Sequence, residues 1–197
     1  MNRPIRVLCL HGWRTSGSIL QRQTSALHQA FGSKAELVFV DAPWKASGPA
    51  PELVRSFYGE NGPFYQWWDA IRCEDGETFR YEGFEHSLDY LVGQIQALGR
   101  VDAVLGGILP SQPRDTGPTG VGYNFSRGAI DIPSVHVMGK VDPLTPKSEK
   151  LFRSFTNTRR VKFEHDEGHK FPSPLKYKQL YYDIAQEVLS MTGQTWA

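Results

Sequence analysis

With 197 residues, 40% of them apolar and 22% charged, the chain has the size and mix of one globular domain, which excludes disorder, collagen and coiled coil as readings of the whole. Its 22 Lys and Arg stand against 21 Asp and Glu, a net charge of +1 with no basic block, so nucleic acid and anionic membrane have no electrostatic footing as partners. Two cysteines, Cys9 and Cys73, cannot build a disulfide framework or a zinc cluster, and no apolar run is longer than Val7 to Leu10, far short of a membrane span or a signal-peptide core. The expectation is a soluble single domain over residues 1–197 in a reducing compartment, the cytoplasm or the nucleus, with no cofactor, no metal and no membrane span.

Strand-like and helix-like segments alternate along the chain, the mark of an α/β layer fold. Ile5 to Leu10 is a short, nearly continuous apolar run and predicts a strand buried on both faces. Ser18 predicts a helix start, with Gln21 placed to complete a capping box, Leu20, Leu27 and Phe31 at helical spacing, and Gly32 as the C-terminal cap. Leu37 to Val40 reads as the second strand. Phe84, Leu88, Leu91, Val92, Ile95 and Leu98 form one apolar helical face that Gly99 stops. Val101 to Leu105 and Val135 to Met138 read as strands. Thr145 predicts the N-cap of a further helix, with Pro146 at its first position and Glu149 in its first turn. Val161 to Glu164 is the last predicted strand and Leu175 to Leu189 the closing helix.

Two stretches break this rhythm. Residues 41–83 lack periodicity and are dense in aromatic side chains, among them Trp44, Phe57, Tyr58, Phe64, Tyr65, Trp67, Trp68, Phe79 and Tyr81. Aromatic residues in a long connection either anchor it to the core or line a ligand cleft, and one ring can do both. Residues 106–134 hold six glycines and four prolines in 29 positions, with no helical pattern, where a parallel crossover needs a helix.

Three strand ends carry residues suited to chemistry. After the first strand, Leu10-His11-Gly12-Trp13 is either a plain strand-to-helix turn or a turn that aims a main-chain amide into a cleft, as in an oxyanion hole. After the strand ending at Met138, Gly139-Lys140-Val141-Asp142-Pro143 sets a carboxylate either as a turn or cap residue or as the partner that orients an imidazole. After the last strand comes Glu164-His165-Asp166-Glu167-Gly168-His169. His169 follows Asp142 by 27 residues, one strand-helix-strand unit, in the order acid then base that α/β-hydrolases use. His165 and His169 have the spacing of a zinc helix, but Gly168 and the preceding strand argue against a helix there, and no third ligand is apparent.

His11-Gly12-Trp13, Phe39-Val40-Asp41-Ala42-Pro43, the run from Ile130-Asp131-Ile132-Pro133 through His136-Val137-Met138-Gly139-Lys140-Val141-Asp142-Pro143, and His165-Asp166-Glu167-Gly168-His169 together resemble the small α/β-hydrolases known as the family of serine hydrolases. The similarity runs from Arg6 to about Tyr182. It implies an α/β-hydrolase-like, doubly wound and mostly parallel sheet, and a hydrolase of small-molecule carboxylic esters or thioesters. It further implies Asp142 as the acid of a catalytic triad, His169 as general base and the Trp13 amide as an oxyanion donor. Phe57, Tyr58, Phe64, Tyr65 and Trp67 are then candidates for the wall of an apolar acyl cleft.

One motif of that family is missing. Its nucleophile sits in a Gly-Phe-Ser-x-Gly elbow directly after the strand that here is Val101 to Leu105, where this chain reads Gly106-Gly107-Ile108-Leu109-Pro110, and no Gly-x-Ser-x-Gly occurs anywhere. The expectation is therefore a sheet lacking one central strand-helix unit, deleted at Gly106-Gly107, and a chain that is either a hydrolase or a catalytically dead relative that keeps the cleft. Asn124-Phe125-Ser126-Arg127-Gly128 imitates the elbow incompletely and makes Ser126 the weak candidate nucleophile. Ser111 lies near the junction without elbow glycines.

Overall fold

The computed structural model describes residues 3–60, 62–74, 79–106 and 131–193. In chain order the elements are β1 (Ile5–Leu10), α1 (Gly17–Gln23), α2 (Ser25–Phe31), β2 (Ala35–Val40), β3 (Trp44–Lys45), α3 (Glu52–Tyr58), β4 (Tyr65–Gln66), β5 (Asp69–Arg72) and β6 (Phe79–Glu82). They continue with α4 (Phe84–Leu98), β7 (Ala103–Gly106), β8 (Ser134–Gly139), α5 (Thr145–Ser154), β9 (Arg160–His165) and α6 (Lys178–Met191). The described residues gather into two compact units, one of residues 3–5, 23–36 and 131–193, the other of residues 6–22 and those between 37 and 106.

In the second of these units β2, β1 and β7 form a three-stranded sheet in that order, with β1 and β7 parallel and Val7 opposite Ala103 through Leu10 opposite Gly106. β1 has the predicted bounds, and its Val7, Leu8 and Cys9 are buried, as a run without polar alternation requires. Leu8, Val40, Ala42 and Trp67 make a buried cluster, against which Tyr90, Leu91 and Leu98 of α4 pack. α4 also has the predicted bounds, between Gly83 and Gly99, both in the left-handed conformation that spares a glycine the Cβ clash. Its apolar face is covered on one side only: Leu88, Val92 and Ile95 are 40%, 53% and 40% exposed. Periodicity marks a face as apolar but does not say which neighbour covers it.

The long aromatic connection contains structure that its composition does not signal. β3 and β4 pair antiparallel, as do β5 and β6, and α3 lies between β3 and β4 in the chain. Elements two to seven residues long leave too few positions for a period to register.

In the other unit β8 and β9 pair in parallel over six residues, from Ser134 opposite Arg160 to Gly139 opposite His165. α6 packs on α2, burying Tyr181, Ile184, Ala185 and Leu189 of the first and Leu27, Ala30 and Phe31 of the second, two stripes at helical spacing. Burial of the larger of these side chains, Leu27, Phe31, Ile184 and Leu189, contributes about 1.5–3 kcal/mol each, so this helix pair is a principal source of the unit's cohesion.

Three helix starts differ from the sequence reading, the closing helix beginning at Lys178 rather than at Leu175. The first begins at Gly17, capped by the Ser16 hydroxyl, which accepts from the Ile19 amide at 3.3 Å, and it breaks at Thr24 into α1 and α2. Ser18 is thus inside the helix and donates to or accepts from Ser16 Oγ at 2.9 Å. Thr145 is the first residue of α5 rather than its cap, because its hydroxyl donates to the Gly139 and Asp142 carbonyls at 2.8 and 2.7 Å. β7 and β8 belong to different sheets among the described residues. Most of the Gly- and Pro-rich segment between them, with Gly107, Ser111 and Ser126, lies outside the described residues.

Candidate active site

The turn after β1 is tied to the chain after β2. The Ala42 amide donates to His11 Nε2 at 3.0 Å, so that nitrogen carries no proton and the ring's N–H is at Nδ1, 2.8 Å from the Gly12 carbonyl it donates to and 3.2 Å from Thr15 Oγ1. His11 is fully buried, and desolvation holds its pKa below the usual histidine value. A neutral imidazole thus joins the His11-Gly12-Trp13 turn to Asp41-Ala42-Pro43. A second tie runs alongside it, from the Gly17 amide to Asp41 Oδ1 at 2.8 Å, which sets a carboxylate at the start of α1. Trp13 itself is partly exposed, with the Arg14 guanidinium 4.9 Å over its ring. Arg14 takes a φ of 49°, and its Nη2 donates to Ser47 Oγ at 2.9 Å.

The aromatic candidates have different surroundings. Trp67 is buried in the core cluster and donates from Nε1 to the His11 carbonyl at 2.8 Å, its ring 5.3 Å from the imidazole. Tyr65 donates its amide to the Thr15 carbonyl at 2.7 Å, and the Phe64 carbonyl accepts from the Ala46 amide at 2.9 Å. Tyr58 lies 4.6 Å beneath the Arg22 guanidinium, and Phe57 is 71% exposed.

The ends of β8 and β9 lie side by side because the two strands are parallel and in register to their last residues. The loops that leave them, 140–144 and 166–173, therefore start as neighbours, the usual place for functional groups in an α/β sheet. Asp142 and His169 meet there: Asp142 Oδ2 is 2.9 Å from His169 Nδ1. The other carboxylate oxygen, Oδ1, accepts from the Leu144 amide at 2.8 Å. Both oxygens of a nearly buried carboxylate are thus engaged, which fixes its plane, and the imidazole is left 45% exposed with Nε2 turned to no protein acceptor among the described residues. His165, four residues earlier, is buried and its pKa is lowered, by desolvation first. No group of three or more His, Cys, Asp or Glu side chains among the described residues is arranged to hold a metal ion.

The sequence reading passed over the groups that hold the His169 loop. Lys140 donates its amide to the His165 carbonyl at 2.8 Å and its ammonium to Asp166 at 2.9 Å, which lowers the Asp166 pKa and raises that of Lys140. The Asp166 amide donates to Tyr177 Oη at 2.9 Å, and Tyr181 Oη donates to the Pro172 carbonyl at 2.7 Å. Burial first, and then the Glu167 carboxylate, push the Tyr181 phenol up to about 12. The sequence signal for these ties is weak, since nothing in the residue pattern singles out Tyr177 or Tyr181 as a hydrogen-bond partner of this loop.

A family model described as serine hydrolase (FSH1) matches residues 1–107 and 110–181. The esterase FUS5 of Gibberella moniliformis is 30% identical over 217 aligned positions that cover 99% of this chain and 89% of that protein. The human esterase OVCA2 is 28% identical, with 91% and 94% covered, and the Drosophila melanogaster esterase CG5412 is 29% identical, with 94% and 75% covered. Among solved structures, that of an Arabidopsis thaliana SOBER1 variant covers 95% of this chain and 99% of its own at a TM-score of 0.54 and 14% identity, a likeness of fold. Strands in parallel pairs, helices between them and this neighbour define an α/β protein of the α/β-hydrolase-like class. Within that class the chain belongs to the serine hydrolase (FSH1) family. The relatives named here are esterases, and no helix among the described residues is long and apolar enough to cross a membrane.

Proposed function

We propose that this chain is a hydrolase of small-molecule carboxylic esters or thioesters with an apolar acyl group, with His169 as general base and Asp142 as the acid that orients it. The observation that carries this reading is the 2.9 Å contact of Asp142 Oδ2 with His169 Nδ1, the other carboxylate oxygen being held by the Leu144 amide. Such a contact keeps the proton on Nδ1 and leaves the Nε2 lone pair to take a proton from a nucleophile, then to return it to the leaving group. The Trp13 amide is the proposed oxyanion donor and the aromatic residues Phe57, Tyr58, Phe64, Tyr65 and Trp67 the proposed acyl-binding set. An acyl-enzyme on a serine would then be released by water.

A second reading, a catalytically silent relative, is favoured by the absence of any Gly-x-Ser-x-Gly. Two facts support a lost segment, and only the first bears on where it fell. The family match pauses at residues 108–109, just past β7. The 217 positions aligned with FUS5 also exceed the 197 residues of the whole chain, so the relative has at least 20 residues for which this chain has no counterpart.

Fluorophosphonate labelling of the folded protein separates the readings. A hydrolase is labelled, the rate falls by about 10²–10⁴ in His169→Ala, and labelling is lost in Ser126→Ala if that serine is the nucleophile. Folded wild-type protein that takes up no label overturns the hydrolase reading for this chain and leaves the silent one.

A further inference from the structure

The loop that carries His169 is held at its two ends from outside. His165 and Asp166 are tied to Lys140 and Tyr177, and Pro172 to Tyr181. None of those contacts spans the residues between. One side chain does: Glu167 Oε2 accepts from the Ser173 amide at 2.9 Å and lies 3.5 Å from Lys170 Nζ. The Glu167 carboxylate is only 16% exposed, so it is enclosed by the loop it closes rather than waving in solvent. Inside that closure the Lys170 amide donates to the Gly168 carbonyl at 2.8 Å, a three-residue turn with His169 at its centre. On the other side of the loop, the carbonyls of Glu167 and Gly168 lie so close to Gly139 that a Cβ there would collide with both.

The geometry points to Glu167 as a positioning residue: its carboxylate bridges the two limbs of the 167–173 loop and so fixes the imidazole of His169 on Asp142. The inference rests on the Asp142–His169 pair proposed above. Glu167 touches neither member of that pair. It acts through the main chain, since a turn closed by one charge-assisted hydrogen bond to a backbone amide leaves the central residue few conformations. Lys170 adds charge balance at the rim. The Ser173 amide is the contact that sets the loop's width.

The test is the proton resonance of the imidazole N–H bonded to a carboxylate, which is shifted far downfield and is read without turnover, so it does not depend on any serine. Wild-type protein is expected to show it, and Asp142→Asn to lose it, which assigns it. Glu167→Gln retains an acceptor for the Ser173 amide and is expected to keep the resonance. Glu167→Ala is expected to broaden it beyond detection through exchange with water. Should Glu167→Ala not fold, Glu167→Asp keeps the charge, falls one methylene short of Ser173, and is expected to give the same loss. A resonance as sharp in folded Glu167→Ala or Glu167→Asp as in wild type overturns the positioning role and leaves the acid–base pair standing. A wild-type protein with no such resonance overturns the pair itself, and the positioning role with it.

Discussion

At Gly139, the last residue of β8, a side chain would run into the main chain that carries His169, because the Glu167 and Gly168 carbonyls already occupy that space. Those carbonyls belong to a backbone fastened at several points, so they cannot give way as the tip of a flexible side chain would. Gly139→Ala is therefore expected to destabilise by about 1–3 kcal/mol, the range of overpacked positions, read as a lower denaturant midpoint at unchanged slope. His11 is the other residue whose surroundings matter more than its motif. Its position at a strand end was legible, but its work was not, because a histidine's partner across 31 residues is a fact of folding. The Asp142–His169 contact was legible in a different sense: the sequence singled out both residues by their strand ends and their order, and the fold supplies the 2.9 Å between them.

Among the elements, α4 carries the clearest departure from what its pattern suggests. Its bounds follow from Gly83 and Gly99, and its burial from the side of Ser87, Tyr90, Leu91 and Leu98, with Leu88, Val92 and Ile95 left open. Gly93 sits in the middle of this helix with no neighbour near the place of a Cβ and without a positive φ. There the glycine has only its entropic disadvantage, so Gly93→Ala is expected to stabilise by about 0.5–1 kcal/mol, measured by chemical denaturation. The helical stretch that α1 opens teaches the complementary lesson. Its apolar spacing was visible, whereas its start was set by Ser16 and by the carboxylate of Asp41, a residue 24 positions from the amide it receives. Local spacing identifies a helix; distant partners fix where it begins.

For the whole molecule, stability is expected to fall on both sides of neutrality. His11, His136 and His165 all have pKa values lowered in the folded chain, desolvation being the first cause for each. As pH falls below their ordinary value of 6.5 the unfolded chain takes up protons that the folded chain refuses, so the stability present above 6.5 is progressively lost. On the alkaline side burial raises Cys9 from 9.0 to about 12 and Tyr181 from 10.0 to about 12. The unfolded chain then loses protons first, and stability declines as pH rises through 9 and 10. Thermal midpoints across pH 5 to 11 check this: a plateau between the two limbs is expected, with the alkaline limb shallower in Cys9→Ala. A midpoint that keeps rising below 6.5 counts against neutral buried histidines.

What the sequence determined by itself was the alternation of strands and helices, the motifs at three strand ends and the absence of any Gly-x-Ser-x-Gly, because these depend on residue type and near spacing alone, while the family entered as a resemblance of motifs. Tertiary structure alone decided that Asp142 Oδ2 reaches His169 Nδ1, that Gly139 must lack a side chain, and that half of α4's apolar face stays open. Each of these is a distance between residues far apart in the chain or a volume enclosed by several of them, and such quantities come into being only when strands pair and helices pack.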